Sequence, residues 1–333
     1  KKAGMKPLNL KAKEGLAITN GTEVMTAVGI LNLLEAESLC KMADIAGAMS
    51  LEALRGTDKA FDPSIHALRP HSGQMDSAEN LRRLLTGSGI RRSHQDCQKV
   101  QDSYSLRCMP QVHGATKTAL KHIRQVLETE LNSVTDNPLV FVKEDEVLSG
   151  GNFHGQPVAL AMDYMGIAVA ELADISERRL ARLLDASLSG LPGFLTEHGG
   201  LNSGLMITQN TAASLVSENK VLAHPSSVDS IPTSANQEDH VSMGSFGARK
   251  AGQICGNVRY VLACELLAAA QGLEFHKPLK PGQGVNAAYQ AIRSRVKSVK
   301  YDREFYQDIQ EIADMIGENA ILHAVENRIG KLK

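Results

Sequence analysis

Tryptophan is absent from these 333 residues, and aromatic residues make up only 4% of them. Leu, Ala, Ile, Val and Met must therefore supply the core, drawn from a hydrophobic fraction of 43%. Charge is nearly balanced, with 36 basic and 37 acidic residues and a formal net charge of -1. That balance excludes the basic footprint of a nucleic-acid binder or an anionic-membrane binder. No uninterrupted apolar run is long enough to span a membrane, and the opening residues are unlike a cleavable leader. The five cysteines, Cys40, Cys97, Cys108, Cys255 and Cys264, form no CxxC pair, and their odd number argues against a secreted disulfide framework. A cytoplasmic protein is the simplest fit. Neither a GxGxxG nor a GxxxxGK run occurs, so a nucleotide loop is unsupported.

Sustained strand alternation is also missing, apart from a short hairpin predicted near residues 139–149. Helical periodicity fills the remainder, over 23–54, about 95–134 with a bend at Pro110, and 156–184. Further helices are expected at about 204–222, 239–271, 284–298 and 303–329, separated by Gly, Pro, Ser and Asn clusters. Helices this long favour an elongated all-α bundle. The stretches 23–54 and 241–270 carry few charges on any face, which suits the centre of a bundle or a subunit interface. An obligate oligomer follows as an expectation.

Polar residues concentrate in four places. In QDSYSLRCMPQVHG, Gln101, Tyr104 and Arg107 recur at i, i+3 and i+6, one flank of about 120° on a helix. Arg107 can grip a carboxylate with two hydrogen bonds, and Tyr104 can exchange a proton beside it. A surface or interface polar network competes with that reading. Asn20-Gly21-Thr22 precedes the first long helix, where Thr22 can cap and Asn20 can project from a turn; an ordinary Asn-Gly turn accounts for the same residues. In GNFHGQP, Phe153 and His154 precede a helix with proline in its first turn, and Phe153 can equally serve as a core plug. In NQEDHVSMG, Glu238 suits an ammonium or an imidazole, while capping of the following helix explains part of the pattern. The pairs His94–Cys97 and Cys108–His113 superficially suggest zinc, but along one helix they cannot converge tetrahedrally, and no metal is expected.

KEGLAITNGT, QDSYSLRCMPQVHG, TDNPL, GNFHGQP and NQEDHVSMG, taken together and in this order, resemble the aromatic amino acid ammonia-lyase family. QEDHVS resembles its histidine branch, whereas phenylalanine and tyrosine lyases usually read NQDVNS at that point. The resemblance implies an elongated helical bundle assembled as a homotetramer, with each site built from several subunits. It implies elimination of ammonia from L-histidine to give urocanate, using the electrophile 4-methylideneimidazol-5-one. It also implies Tyr104, Gln101 and Glu238 as catalytic residues, and Asn20, Arg107, Phe153 and Glu238 as substrate-binding residues. Asn20, Gln101 and Phe153 are the cofactor-binding residues it implies. A tyrosine from the family's upstream third is then the better base, with Tyr104 supporting the network.

The electrophile forms in the family from an internal Ala-Ser-Gly, which these residues do not contain. Residues 1–333 are therefore expected to be the carboxyl-terminal two-thirds of a larger enzyme, without the cofactor-forming segment. On that expectation the chain is inactive alone and needs a missing upstream segment or a companion chain. A tyrosine or phenylalanine lyase, an aminomutase and an inactive assembly scaffold are the alternatives.

Overall fold

The computed structural model describes residues 4–95 and 100–333. A short helix, α1 (Glu14–Thr19), leads into α2 (Glu23–Ala53), which runs for 31 residues. Next come α3 (Pro63–Ala67), α4 (Ser72–Leu84) and α5 (Gly89–Arg92). A single turn, α6 (Tyr104–Arg107), precedes α7 (Met109–Leu131). The antiparallel hairpin of β1 (Leu139–Phe141) and β2 (Glu146–Leu148) pairs Val140 with Val147. Beyond it lie α8 (Gln156–Leu184), α9 (Ala186–Ser189), α10 (Met206–Leu222) and α11 (Gly244–Glu274). The chain closes with α12 (Gln283–Arg295), α13 (Phe305–Gly317) and α14 (Ala320–Ile329).

The packing follows from the charge-poor helices. Helix α11 lies along α8 and α2, and α7 packs on α8, α2 and α4. Every residue from Met42 to Ala53 and from Val261 to Leu273 is buried, so both helices are enclosed on all sides over those stretches. Small residues let the axes close: a Cβ at Gly47 would stand 2.2 Å from the Met109 sulfur. Burial pushes the Cys40 and Cys264 thiols up to about 12 and the Cys255 thiol higher still, leaving them protonated packing groups. Among the described residues no helix is long and apolar enough to cross a membrane.

Three element assignments need correction. The expected 95–134 helix is broken, because Cys108 leaves helical geometry at φ -98° and ψ 9°. Pro110 then falls in the first turn of α7, where its missing N–H costs nothing, so it starts a helix instead of bending one. Gln101 precedes α6 and is not helical. The 303–329 helix divides at Asn319, which takes a left-handed φ of 57°. Helix α11 begins at Gly244, well after residue 239, and so Glu238 does not cap it. The 13-residue α4 was not anticipated; three of its polar residues, Gln74, Ser77 and Asn80, face the interior and blur its apolar stripe.

Glu52, near the end of α2, is 1% exposed and accepts the Gly282 N–H through both oxygens at 2.8 and 3.1 Å. Burial pushes its pKa up to about 7 from the ordinary 4.5, although the Ser88 hydroxyl, the Gly282 N–H and Arg91 oppose it. Between those values the folded protein holds a proton that the unfolded chain has released, so stability falls as pH rises through the window. Across it the protein should lose about 2–3 kcal/mol relative to Glu52→Gln. Thermal unfolding of both proteins from pH 4.5 to 7.5 checks this; parallel pH profiles would refute it.

Candidate functional site

The site residues fall into two groups. The first gathers around the start of α2. Gly21 and Thr22 lie against Thr135, whose carbonyl oxygen would be 2.3 Å from a Cβ on Gly21. Close approach, and not an unusual turn, therefore demands glycine there. Thr22 does not cap α2 through its side chain; its hydroxyl donates to Glu130 at 2.6 Å. The Asn20 amide nitrogen donates to Asp136 at 3.3 Å, and Lys13 pairs with the same carboxylate. Asp136 also accepts the Asn137 N–H at 2.7 Å. The Lys13 hydrogen bond, followed by that N–H, holds the Asp136 carboxyl below its usual range.

The TDNPL run thus has a structural account. Thr135 meets the Gly21–Thr22 turn, Asp136 orients Asn20, and the Asn137 side chain accepts the Gly150 N–H at 2.8 Å. That last bond brings the loop carrying Phe153 and His154 to the same end of the bundle. Phe153 is 37% exposed and is not a core plug. His154 stacks on His240 with ring centroids 5.5 Å apart and planes 9° from parallel, and its Nε2 lies 3.1 Å from the His240 carbonyl oxygen. The segment containing Glu238 is thereby joined to the Phe153 loop. Glu238 itself is exposed and accepts the Thr233 hydroxyl at 2.7 Å. Between these two, Ser234, Ala235 and Asn236 all take left-handed φ values of 49°, 54° and 66°. Strain of this kind in non-glycine residues concentrates at binding sites.

The second group sits beyond the other end of α2. Asp102 accepts the Thr57 N–H at 2.7 Å, and Gln101 lines a cavity of about 490 Å³ with Arg55, Asp58, Arg91 and His94. Tyr104 is 72% exposed at the mouth of a second cavity, of about 550 Å³, with Arg178, Arg182, Asp185, Phe194 and Gln209. The i, i+3 spacing of Tyr104 and Arg107 survives in the single turn of α6, and the guanidinium carbon lies 4.6 Å from the centre of the phenol ring. The Arg107 Nε is buried without a hydrogen-bond partner among the described residues. His113 is fully buried against Asp44, and Cys97, of the other zinc-like pair, lies outside the described residues.

Helix α2 separates the groups. At about 1.5 Å per residue, Met25, which meets Gly155 and Gly244, and Gly47, which meets Met109, stand about 33 Å apart along α2, so Asn20, Phe153 and Glu238 lie roughly 30–45 Å from Gln101, Tyr104 and Arg107. The chain places three candidate residues toward each end of the bundle and does not bring the two groups together. Asp136, Asn137 and the His154–His240 stack were not assigned roles from sequence; the TDNPL run was the available signal.

An all-α bundle of long helices, with polar loops concentrated at both ends, is the class that this geometry defines. Within it the chain belongs to the aromatic amino acid lyase family, whose model matches residues 1–294. It is 58% identical over 332 residues to a histidine ammonia-lyase of Symbiobacterium thermophilum, covering 100% of this chain and 65% of that protein. A histidine ammonia-lyase of Sorangium cellulosum is 57% identical, with 99% and 66% covered. The crystal structure of histidine ammonia-lyase from Trypanosoma cruzi superposes with a TM-score of 0.90 at 45% identity, covering 98% of this chain and 62% of that one. Tyrosine aminomutase from Streptomyces globisporus gives 0.93 at 38% identity, with 100% and 67% covered.

These matches correct the expectation of an inactive carboxyl-terminal fragment. The family match begins at residue 1, and similarity to the histidine ammonia-lyases extends over 98–100% of the chain. The chain spans about 65% of the length of those relatives. The point at which a sequence starts does not measure what its protein contains. Neither a missing cofactor segment nor a companion chain follows from the lack of Ala-Ser-Gly in these residues.

Proposed function

We propose that the protein eliminates ammonia from L-histidine to give urocanate. Identity of 58% with a histidine ammonia-lyase along the whole chain, against 38% with an aminomutase of equally similar fold, is the observation that carries this choice. Arg107 is the carboxylate clamp: its planar fork matches two carboxylate oxygens, and its buried, unpartnered Nε is a donor in want of an acceptor. The Tyr104 ring, 4.6 Å from that guanidinium carbon, supports the clamp, and Gln101 is assigned to extend its hydrogen-bonding edge. At the other end, Glu238 carries the negative charge suited to an imidazole or an α-ammonium.

The donor set at that end also fits a planar, carbonyl-bearing heterocycle. The Asn20 amide is oriented by Asp136, and Phe153 exposes an aromatic face beside the strained Glu238 loop. When bound, 4-methylideneimidazol-5-one supplies the electron sink that a departing α-amine requires. Asn20 and Phe153 would hold it in one protomer, and Gln101 would reach it from another. A working site then unites the two groups across a contact between copies of the protein, because α2 keeps them roughly 30–45 Å apart within each copy.

Ultraviolet detection of urocanate formed from L-histidine by the full-length protein tests the activity; production of a β-amino acid or deamination of tyrosine alone would overturn it. Arg107→Lys should lower kcat/KM more than tenfold, since an ammonium cannot reproduce a two-point clamp. A change below twofold with intact assembly removes Arg107 from this role.

Glu238→Gln keeps the shape of the side chain and removes its charge. The loss of a charge-assisted contact should cost about 1.5–3 kcal/mol in kcat/KM for histidine. The loss should be smaller for phenylalanine; equal losses for both would move Glu238 to the shared amino group.

Co-assembly offers a test of the divided site. Asn20→Ala and Arg107→Lys should each be nearly inactive, yet a 1:1 mixed assembly should recover activity in about a quarter of its sites. Mixtures no more active than their components would show that each site draws both residues from one copy.

A further inference from the structure

A polar network with no role in the reaction described above runs through the bundle interior to the turn that carries Arg107. On α2, Asp44 is fully buried and accepts from His113 Nδ1 at 2.8 Å, Lys117 Nζ at 2.6 Å and Asn80 at 2.9 Å. The other nitrogen of His113 lies 3.4 Å from Nη1 of Arg179. Arg179, also without exposure, gives two hydrogen bonds to Glu265 on α11, at 2.6 and 2.9 Å. Its Nη1 reaches the Ser105 carbonyl oxygen at 3.5 Å. Ser105 stands between Tyr104 and Arg107 in the four-residue turn α6.

The donor inventory fixes the state of His113. A guanidinium has no acceptor, so a hydrogen bond at Nε2 requires that nitrogen to accept. The proton is then on Nδ1, directed at Asp44, and the ring is neutral. Burial pushes the His113 pKa down, and Arg179 and Lys117 add to that effect against the opposing Asp44 contact. The charges facing the ring balance: Asp44 against Lys117, and Arg179 against Glu265. Helix α2 packs against this network: a Cβ on Gly47 would lie within contact distance of Arg179 and His113 and only 2.2 Å from the Met109 sulfur.

We infer that His113 is a positioning residue: as the acceptor that orients Arg179, it holds the Ser105 carbonyl and so aims the α6 turn and the Arg107 carboxylate clamp. This rests on the proposed role of Arg107. A turn of four residues has too few internal hydrogen bonds to fix its own orientation, and α6 packs on α8, the helix that carries Arg179, as well as on α7.

Inhibition of the full-length enzyme by two imidazoles tests the inference: imidazolepropionate, which has a carboxylate, and histamine, which has none. His113→Asn keeps a donor for Asp44 and loses the atom that faces Arg179. It should weaken imidazolepropionate five- to tenfold and leave histamine within twofold. His113→Gln keeps an acceptor at the far position and should leave both within twofold. Equal weakening of both inhibitors in His113→Asn, or weakening of neither, overturns the inference. If His113→Asn does not assemble, His113→Gln decides alone: selective loss of imidazolepropionate overturns the role, and retention sustains it. Arg107→Lys, measured alongside, separates the two ideas. If it leaves imidazolepropionate affinity unchanged, the clamp itself is wrong; if it weakens that affinity while His113→Asn does not, only the positioning role fails.

Discussion

The ion pair of Arg179 and Glu265 lies where α2, α8 and α11 meet, and the register of those three helices depends on it. Glu265 from α11 accepts two hydrogen bonds from Arg179 on α8, one from Ser176 on α8 and one from Ser50 on α2. Every donor to that carboxylate comes from a buried residue. Sliding any of the helices by one turn would strand a charge in an interior packed mainly by Leu, Ala and Met. Removing one partner of such a pair costs about 3–5 kcal/mol, although an apolar replacement of the whole set can be neutral. The pair therefore specifies alignment more than it adds stability. Alignment matters because functional loops hang from both ends of these helices.

Long helices were legible because their composition is uniform. The start of α2 after Asn-Gly-Thr, and the span of α8 from Gln156-Pro157 to Leu184, follow from turn residues and periodicity alone. Reading failed where the same residue type serves two purposes. Pro110 breaks a helix when interior and starts one when first, and only the geometry of Cys108 distinguishes the cases. Helix α4 escaped notice because Gln74, Ser77 and Asn80 are buried: Gln74 meets His66, Asn80 meets Asp44 and Lys333, which are far off in sequence, and the Ser77 hydroxyl has no hydrogen-bond partner among the described residues. A polar residue buried by a remote partner looks, in sequence, like a solvent-facing one.

The candidate site was legible as a set of residue types and illegible as an arrangement. Spacing placed Tyr104 one turn before Arg107, and that local relation stands. It could not place Gln101 outside the helix, give Thr22 to Glu130 in preference to the end of α2, or anchor Glu238 on Thr233. The fold does not choose the substrate either. An aminomutase superposes on this chain slightly better than a histidine ammonia-lyase does, at lower identity. On the proposed reading, discrimination lies in side chains such as Glu238, mounted on loops that the shared bundle leaves free to vary.

The separation imposed by α2 ties these threads together. A helix of 31 residues is far longer than is needed to enclose a core, and the same length carries the Asn20 loop and the α6 turn to opposite ends. On the proposed reading, neither end is sufficient for catalysis, and a second copy must bring an Arg107 turn to an Asn20 loop. Errors in helix register would then be transmitted to the site from both sides. A rigid centre is the remedy, and the ion pair of Arg179 and Glu265, continued through His113 and Asp44, is built where such errors would begin. The costly burial of charge is thus best understood through the reach of the helices: alignment held at the middle sets the position of chemistry at the ends.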